Sequence, residues 1–252
     1  MIAIILSAGT GSRLRPLTEE IPKPLLMING MTLLERMVRN IIKNGCEDFL
    51  IVVGHKKEKV QDEVQFLHDK YDINIATVEN PNYDTTNTSV SVRLATKKVF
   101  DDDVIIINGD NVIDEKIITG LLETPQTTLV IDNYKKLNEE SFKLEIKDNQ
   151  ITQIGKQIPI SSSSGEFIGI SKVNKKDLEL FNKNLDTLIE QDKQNYYDLA
   201  YKKLSTQTHI NYFYTDGLKW TEIDDLIDWE YANELIEEFD KTEEEAGETL
   251  IL

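Results

Sequence analysis

The chain opens Met1-Ile2-Ala3-Ile4-Ile5-Leu6-Ser7-Ala8-Gly9-Thr10-Gly11-Ser12-Arg13-Leu14. Met1 to Leu6 are apolar and partly β-branched, and Ser7 leads on to two glycines, Gly9 and Gly11. A short apolar run closed by turn residues reads as a strand buried on both faces, the pattern of a parallel sheet. Working outward, residues 31–44 place Leu33, Leu34, Met37, Val38, Ile41 and Ile42 on one helical stripe, closed by Asn44-Gly45. Phe49 to Val53 reads as a second strand, Lys56 to Lys70 as a helix, and Ile73 to Val78 as a third strand. This alternation predicts βαβ units with right-handed crossovers.

An Asn- and Thr-rich loop, Asn80 to Asn87, leads into a helix expected over 89–100. Val104 to Ile107 is apolar enough to be a central strand and ends in Asn108-Gly109-Asp110. Beyond residue 125 the texture changes. Short strands are expected at 128–131, 142–147, 150–154 and 167–173, in antiparallel or mixed pairing. Helices are expected over 174–184 and 185–205, a strand over 209–214, and a closing helix over 225–239. The expectation is one α/β domain over 1–240, followed by an acidic tail over 241–252 that is frayed between Glu243 and Glu248.

The 252 residues carry 28 Lys and Arg against 45 Asp and Glu, a formal charge of −17. The acidity is uneven, since residues 221–248 hold thirteen acidic side chains and one basic, Lys241. A sequence pI near 4.6 argues against nucleic acid as the main partner. Hydrophobic residues make up 40%, enough for a real core. No run approaches the length of a membrane span, and Met1 to Leu6 lacks the flanks of a signal peptide. Cys46 stands alone, so no internal disulfide forms, which fits a reducing compartment. A cytoplasmic protein is expected.

Small residues and glycines after a strand let backbone N–H groups approach an anion closely. Arg13 and Lys23, the latter within Pro22-Lys23-Pro24, add the positive charge a triphosphate needs. A dinucleotide fingerprint would have a third glycine near Leu14, and a Walker loop would end in Gly-Lys-Ser/Thr. Neither is present. A tight turn with two scattered basic residues is the plain alternative.

The segment Leu6 to Leu14 with its Pro-Lys pair resembles the signature L-A-A-G-x-G-x-R of nucleotidyltransferases that activate sugar phosphates and small phosphorylated alcohols. Ser7 replaces the usual first Ala. The resemblance implies a Rossmann-like, GT-A type fold: a three-layer α/β/α sandwich on a mostly parallel mixed sheet with a small antiparallel addition. It also implies that Leu6, Ser7, Ala8, Gly9, Thr10 and Gly11 grip a nucleoside triphosphate, with Arg13 and Lys23 on its phosphates.

Two carboxylates extend the match. Asp110 follows an apolar strand, where α/β sheets put ligand groups, although an ordinary Asn-Gly-Asp turn would read the same locally. Gly217-Leu218-Lys219-Trp220-Thr221-Glu222-Ile223-Asp224-Asp225 is similar to the family's G-L-P-W-x-E-I-D-T. The resemblance makes Asp110 and Asp224 ligands of Mg²⁺, and Asp224 is preferred to Glu222 and to Asp225, which could instead cap the next helix.

Glu79 to Val92 resembles the E-N-P-x-Y-x-x-T-N stretch of the phosphocholine cytidylyltransferase-like branch, and Ile154-Gly155-Lys156, Gly165 to Ile170 and Tyr196-Tyr197-Asp198 match its later motifs. Thr86, Asn87 and Gly109 then become nucleotide contacts. Lys156 becomes a contact of the acceptor phosphate, and Glu166, Tyr197 and Asp198 surround the acceptor's other polar end. Each also has a plain reading as loop, surface or core.

The expected activity is Mg²⁺-dependent transfer of CMP from CTP to a small phosphate or phosphonate such as phosphocholine or aminoethylphosphonate, with a homodimer plausible by resemblance. The alternative is a sugar-1-phosphate nucleotidyltransferase using UTP or dTTP. A non-catalytic nucleotide sensor would be expected to lose Arg13, Lys23, Asp110 or Asp224, and all four are present. His55, His68, His209 and Cys46 show no metal-ligand spacing, and Met27, Met31 and Met37 read as core.

Overall fold

The computed structural model describes residues 1–249, with side chains to residue 245. In chain order the elements are β1 (Ile2–Ser7), β2 (Met27–Ile28), β3 (Met31–Thr32), α1 (Leu33–Lys43), β4 (Asp48–Val53), α2 (Lys57–Tyr71) and β5 (Asn74–Glu79). Then come α3 (Thr88–Thr96), β6 (Val104–Asn108), β7 (Asn111–Ile113), α4 (Glu115–Glu123), β8 (Thr128–Asp132), β9 (Lys143–Lys147), β10 (Gln150–Ile154) and β11 (Gly165–Val173). The chain closes with α5 (Lys175–Gln191), α6 (Asp198–Leu204), β12 (Asn211–Tyr214), β13 (Trp220–Glu222) and α7 (Leu226–Thr249).

The main sheet runs β10-β9-β11-β6-β1-β4-β5, with β8 and β12 joined through β11. The half β6-β1-β4-β5 is parallel, whereas β11 is antiparallel to β6, β8 and β9. Successive residues of a strand face opposite sides. Ala3 and Ile5 accordingly pack with α1, α2 and α4 through Leu34, Val38, Leu67 and Ile118. Ile4 packs on the other face with α3, α5 and α6 through Val92, Phe181 and Tyr201. The expected three-layer α/β/α sandwich on a mixed sheet is therefore the fold observed.

Helix starts follow side-chain chemistry. Thr32, Asp114 and Asn174 each accept a backbone N–H in the first turn of α1, α4 and α5. The sequence expectation divided a helical region at 184/185, but α5 runs on to Gln191. Asn184 is buried and hydrogen-bonds Gln207, so a polar residue there serves packing and marks no break. The break comes at Asp192, whose carboxylate accepts from Gln194 N–H. Met27, read as core, is 56% exposed, because β2 pairs only with β3 and turns one face outward.

The expected frayed stretch 243–248 is helical instead, as α7 continues to Thr249. Leu235 and Ile236 seat the helix on Leu14, Ile28 and Leu33. Beyond them, Asp240 pairs with Arg36 at 2.9 Å, and Glu243 pairs with Lys43 and Arg39. The acidic face of α7 thus answers a basic face of α1. Among the described residues no helix is long and apolar enough to cross a membrane.

Candidate active site

The chain leaves β1 for β4 and β5 on one side and returns to β6 on the other. Such a reversal opens a crevice at the carboxyl ends of the strands. Both edges of that crevice are built by glycine. Gly109 N–H donates to Leu6 O at 3.0 Å, and a Cβ on Gly109 would stand 2.4 Å from the same oxygen. Only glycine lets β6 turn there. Gly11 adopts φ +61°, its carbonyl held by the Thr18 hydroxyl at 2.8 Å. Beside Gly9 the space is open, with no atom within 4 Å of where a Cβ would stand.

Asp110 and Asp224 are far apart in sequence, and a small ribbon joins them. β7 pairs antiparallel with β13, setting Glu222 opposite Asn111, and Ile223 N–H donates to Asp110 O at 3.0 Å. The Asp225 carboxylate accepts the N–H groups of Ile227 and Asp228, while that of Asp228 accepts those of Asp224 and Asp225. Asp225 is thereby the cap of α7, and the Asp224 carboxylate is turned toward the crevice. Lys23 Nζ lies 2.8 Å from Asp110 Oδ2 and 3.6 Å from Asp224 Oδ1, and Arg13 Nη2 lies 2.8 Å from Asp224 Oδ1. The four residues singled out in the sequence form one ion network.

Two cavities meet at this network. One of about 350 Å³ is lined by Leu6, Ser7, Gly9, Thr10, Gly11, Arg13, Lys23, Asn87, Gly109, Asp110 and Asp224. The other, about 630 Å³, shares Leu6, Gly9, Arg13, Gly109, Asp110 and Asp224 with it and adds Ala8, Lys156, Glu166, Tyr197 and Asp198. Thr86 lines neither cavity. Its hydroxyl donates to Asn82 O at 2.7 Å and accepts from Asn80 Nδ2, which holds the loop together. Asn87 lines the smaller cavity, but its side-chain oxygen is engaged by Thr88 N–H in capping α3. A larger space of about 720 Å³ lies under α7 and contains none of these residues.

The larger of the two meeting cavities is electrostatically unusual. Burial pushes the Asp198 carboxyl up to about 7 and the Tyr197 hydroxyl well above its ordinary value. Glu166 is raised by burial, against donors from Ser141 and the Phe142 backbone. Glu222 is raised strongly by burial and then by the charges of Asp110 and Asp224. Lys156 is held protonated by its hydrogen bond to Glu140 at 2.9 Å.

Sequence reading did not single out Lys135 or Trp220 as site residues. Lys135 Nζ lies 3.8 Å from the centre of the Trp220 ring and donates to the Trp220 carbonyl. Burial lowers its pKa, against the pull of Asp132 and Glu166. Trp220 had a signal, its place in the Gly217–Asp225 motif; Lys135 sits in a polar loop with none. That loop is held from beneath by Lys143, fully buried, whose ammonium donates to the carbonyls of Asn138, Glu139 and Ser141.

Asp110 Oδ1 is buried with no hydrogen-bond partner. Mg²⁺ takes one or two carboxylates and completes its shell with water and substrate phosphate oxygens. Among the described residues no group of three or more His, Cys, Asp or Glu could hold a metal unaided. A carboxylate pair that needs a phosphate to finish the shell fits Mg²⁺ better than a structural metal.

Comparison with known proteins gives the following. The family model described as nucleotidyl transferase matches residues 2–143. The bifunctional protein GlmU of Methanocaldococcus jannaschii is 32% identical over 185 residues, covering 73% of this chain and 42% of that protein. The choline-phosphate cytidylyltransferase of Streptococcus pneumoniae is 35% identical over 111 residues, 44% of this chain and 45% of that protein. The matched region thus spans less than half the length of either relative. The solved inositol-1-phosphate CTP transferase from T. maritima superposes with a TM-score of 0.79 at 22% identity, covering 94% of this chain and 95% of its own. At that identity the likeness is one of fold.

Proposed function

This chain belongs to the nucleotidyl transferase family, and on that premise we propose that it transfers CMP from CTP to a small phosphate or phosphonate, releasing pyrophosphate. The observation that carries the reading is the network of Arg13, Lys23, Asp110 and Asp224 at the junction of two cavities. A two-substrate transfer needs its reacting atoms where the two binding spaces meet.

The glycine-rich loop would receive the triphosphate in the smaller cavity, with Arg13 and Lys23 reaching its oxygens. Lys156, on the wall of the larger cavity, would hold the acceptor's phosphate or phosphonate. An oxygen of that group attacks the α-phosphorus in line, the bond to the bridging oxygen breaks, and pyrophosphate leaves. The attacking oxygen is already anionic at neutral pH, so no general base is required. What must be overcome is the repulsion between two anions, and Arg13, Lys23 and Lys156 offset it on opposite sides of the reacting atoms. Mg²⁺, if held by Asp110 and Asp224, would add charge neutralisation on the phosphates.

The test is a panel of the four common nucleoside triphosphates against phosphocholine, aminoethylphosphonate, glycerol phosphate, inositol phosphate and hexose-1-phosphates, read by pyrophosphate release with and without Mg²⁺. Release confined to CTP with a non-sugar acceptor is expected. Release with UTP or dTTP and a hexose-1-phosphate would replace this reading with the sugar-activating one, and no release with any pair would overturn both.

A further inference from the structure

Lys143 carries a buried ammonium that the transfer chemistry leaves unused. It stands on β9, 0% exposed, and lines neither of the two meeting cavities. Its Nζ donates to Asn138 O and Glu139 O at 3.2 Å and to Ser141 O at 3.1 Å. All three acceptors are uncharged. Taking an ammonium out of water is expensive, and an apolar residue would fill an inward strand position without that cost. The charge therefore answers a need that an apolar side chain could not meet.

That need lies in the turn beside it. Three carbonyl dipoles gathered on one point repel one another unless a cation stands there. The N–H groups of the same turn have partners of their own. Those of Glu140 and Ser141 donate to Asn138 Oδ1 at 2.8 and 3.0 Å, and that of Asn138 donates to the Ser141 hydroxyl at 3.2 Å. With amides and carbonyls both engaged, the turn has little freedom left.

The acceptor side of the crevice is built outward from this point. Ser141 and the Phe142 backbone donate to the Glu166 carboxylate, and Glu166 pairs with Lys143 across β9 and β11. The Lys143 carbonyl accepts Gly155 N–H at 2.9 Å, which fixes the chain one residue before Lys156. The turn also closes the loop that carries Lys135 to Trp220.

We propose that Lys143 is a positioning residue for the transfer, an internal cation that organises the 138–141 turn and thereby sets the acceptor wall without touching either substrate. This rests on the transfer reading above and adds to it a residue that acts from behind the cavity wall.

The experiment uses the whole chain with Mg²⁺, CTP, phosphocholine and 2-aminoethylphosphonate. Pyrophosphate release gives KM for each substrate, calorimetry gives acceptor affinity, and hydrogen exchange reads the Glu140 and Ser141 amides. Lys143→Met keeps the reach of the side chain and removes the cation. Acceptor KM should then rise by roughly 10- to 100-fold, with KM for CTP unchanged and both amides exchanging faster. Lys143→Ala should show the same defect, relieved by n-propylammonium, which matches the deleted atoms, and not by 1-propanol. Should neither Lys143 variant fold, Asn138→Ala releases the turn from its amide side and should give the same acceptor-only rise. Both KM values rising together, or an unchanged acceptor KM in a variant that folds, overturns the inference and leaves transfer standing. So does rescue by 1-propanol as well as by the amine, or by neither. A parent that releases no pyrophosphate overturns transfer. Acceptor affinity that still depends on Lys143 would then keep the positioning role, and affinity that is absent or indifferent to Lys143 would overturn that role too.

Discussion

The two cavities that meet at Asp110 and Asp224 are built in opposite ways. The smaller one is walled largely by the backbone at the ends of β1 and β6, with glycines at 9, 11 and 109 where side chains would obstruct. The larger one shares part of that wall and adds side chains from Thr88 and Ser91 of α3, the 135–142 loop, the 156–169 region, residues 196–198, and 220–228. Backbone suits a ligand part that is always the same, the phosphate chain. Side chains suit a part that varies, because changing one leaves the fold alone. The difference predicts where mutation should cost turnover, where stability, and where only selectivity.

The largest effect should fall at the junction. Asp224→Ala is expected to lower kcat by on the order of 1000-fold, while the thermal midpoint stays near that of the parent. The carboxylate is 38% exposed, and its backbone is held independently by Asp228. Near-normal turnover in this variant would remove Asp224 from the metal and phosphate assignment.

Two glycines then separate the roles of the backbone wall. Gly109→Ala forces a Cβ to 2.4 Å from Leu6 O, so a loss of about 1–3 kcal/mol of stability is expected from the overpacking. Gly9→Ala meets nothing within 4 Å. Its denaturation midpoint should hardly move, but KM for the triphosphate should rise by roughly 10- to 100-fold, because a methyl would occupy space the phosphates use. Equal behaviour of the two variants in urea melts and steady-state kinetics would break the distinction between a folding glycine and a binding one.

The same contrast governs what the sequence could disclose. The phosphate-side features are local: an apolar strand, a Gly-x-Gly loop and a Pro-Lys pair within the first two dozen residues. Their order along the chain is their order in space. The parallel strands were legible for the same reason, each an apolar run ended by a turn. β7 and β13 were not, since three residues each is too short for any periodicity, and that ribbon is what brings Asp110 to Asp224. Only family resemblance joined those two residues in advance. Lys135 left no trace because its meaning depends on Trp220, 85 positions away. The break between α5 and α6 was misplaced because a buried Asn184 resembles an exposed one in sequence.

A smaller effect concerns stability against pH on the side-chain wall. Burial holds the Asp198 carboxyl at about 7 in the folded chain, against 3.8 ordinarily. Between these values the unfolded chain gives up this proton while the folded chain keeps it, so rising pH favours unfolding across that window. The contribution accumulates to at most about 4 kcal/mol by neutral pH, and Lys156, the cation acting on it, is too weak to reverse it. Asp198→Asn should therefore gain stability relative to the parent as pH rises from about 4 to about 7, and no further above that. Urea melts across the window read the difference directly, and a pH-independent difference would mean that this carboxyl titrates normally.

The smallest effect lies at the cavity rim, where Glu140 is 87% exposed and paired to Lys156. An ion pair so open to water contributes little to folding, because solvent screens it and two long side chains must be held still. Glu140→Gln should thus leave the thermal midpoint within measurement error. It should also free the Lys156 ammonium for the acceptor phosphate, lowering the acceptor KM by about two- to fivefold with kcat unchanged. An unchanged KM would mean that Lys156 does not reach that phosphate and that the acceptor is held by other groups on the same wall. A large fall in stability would mean that the pair belongs to the fold, making the outer rim of the side-chain wall as structural as Gly109 is on the other.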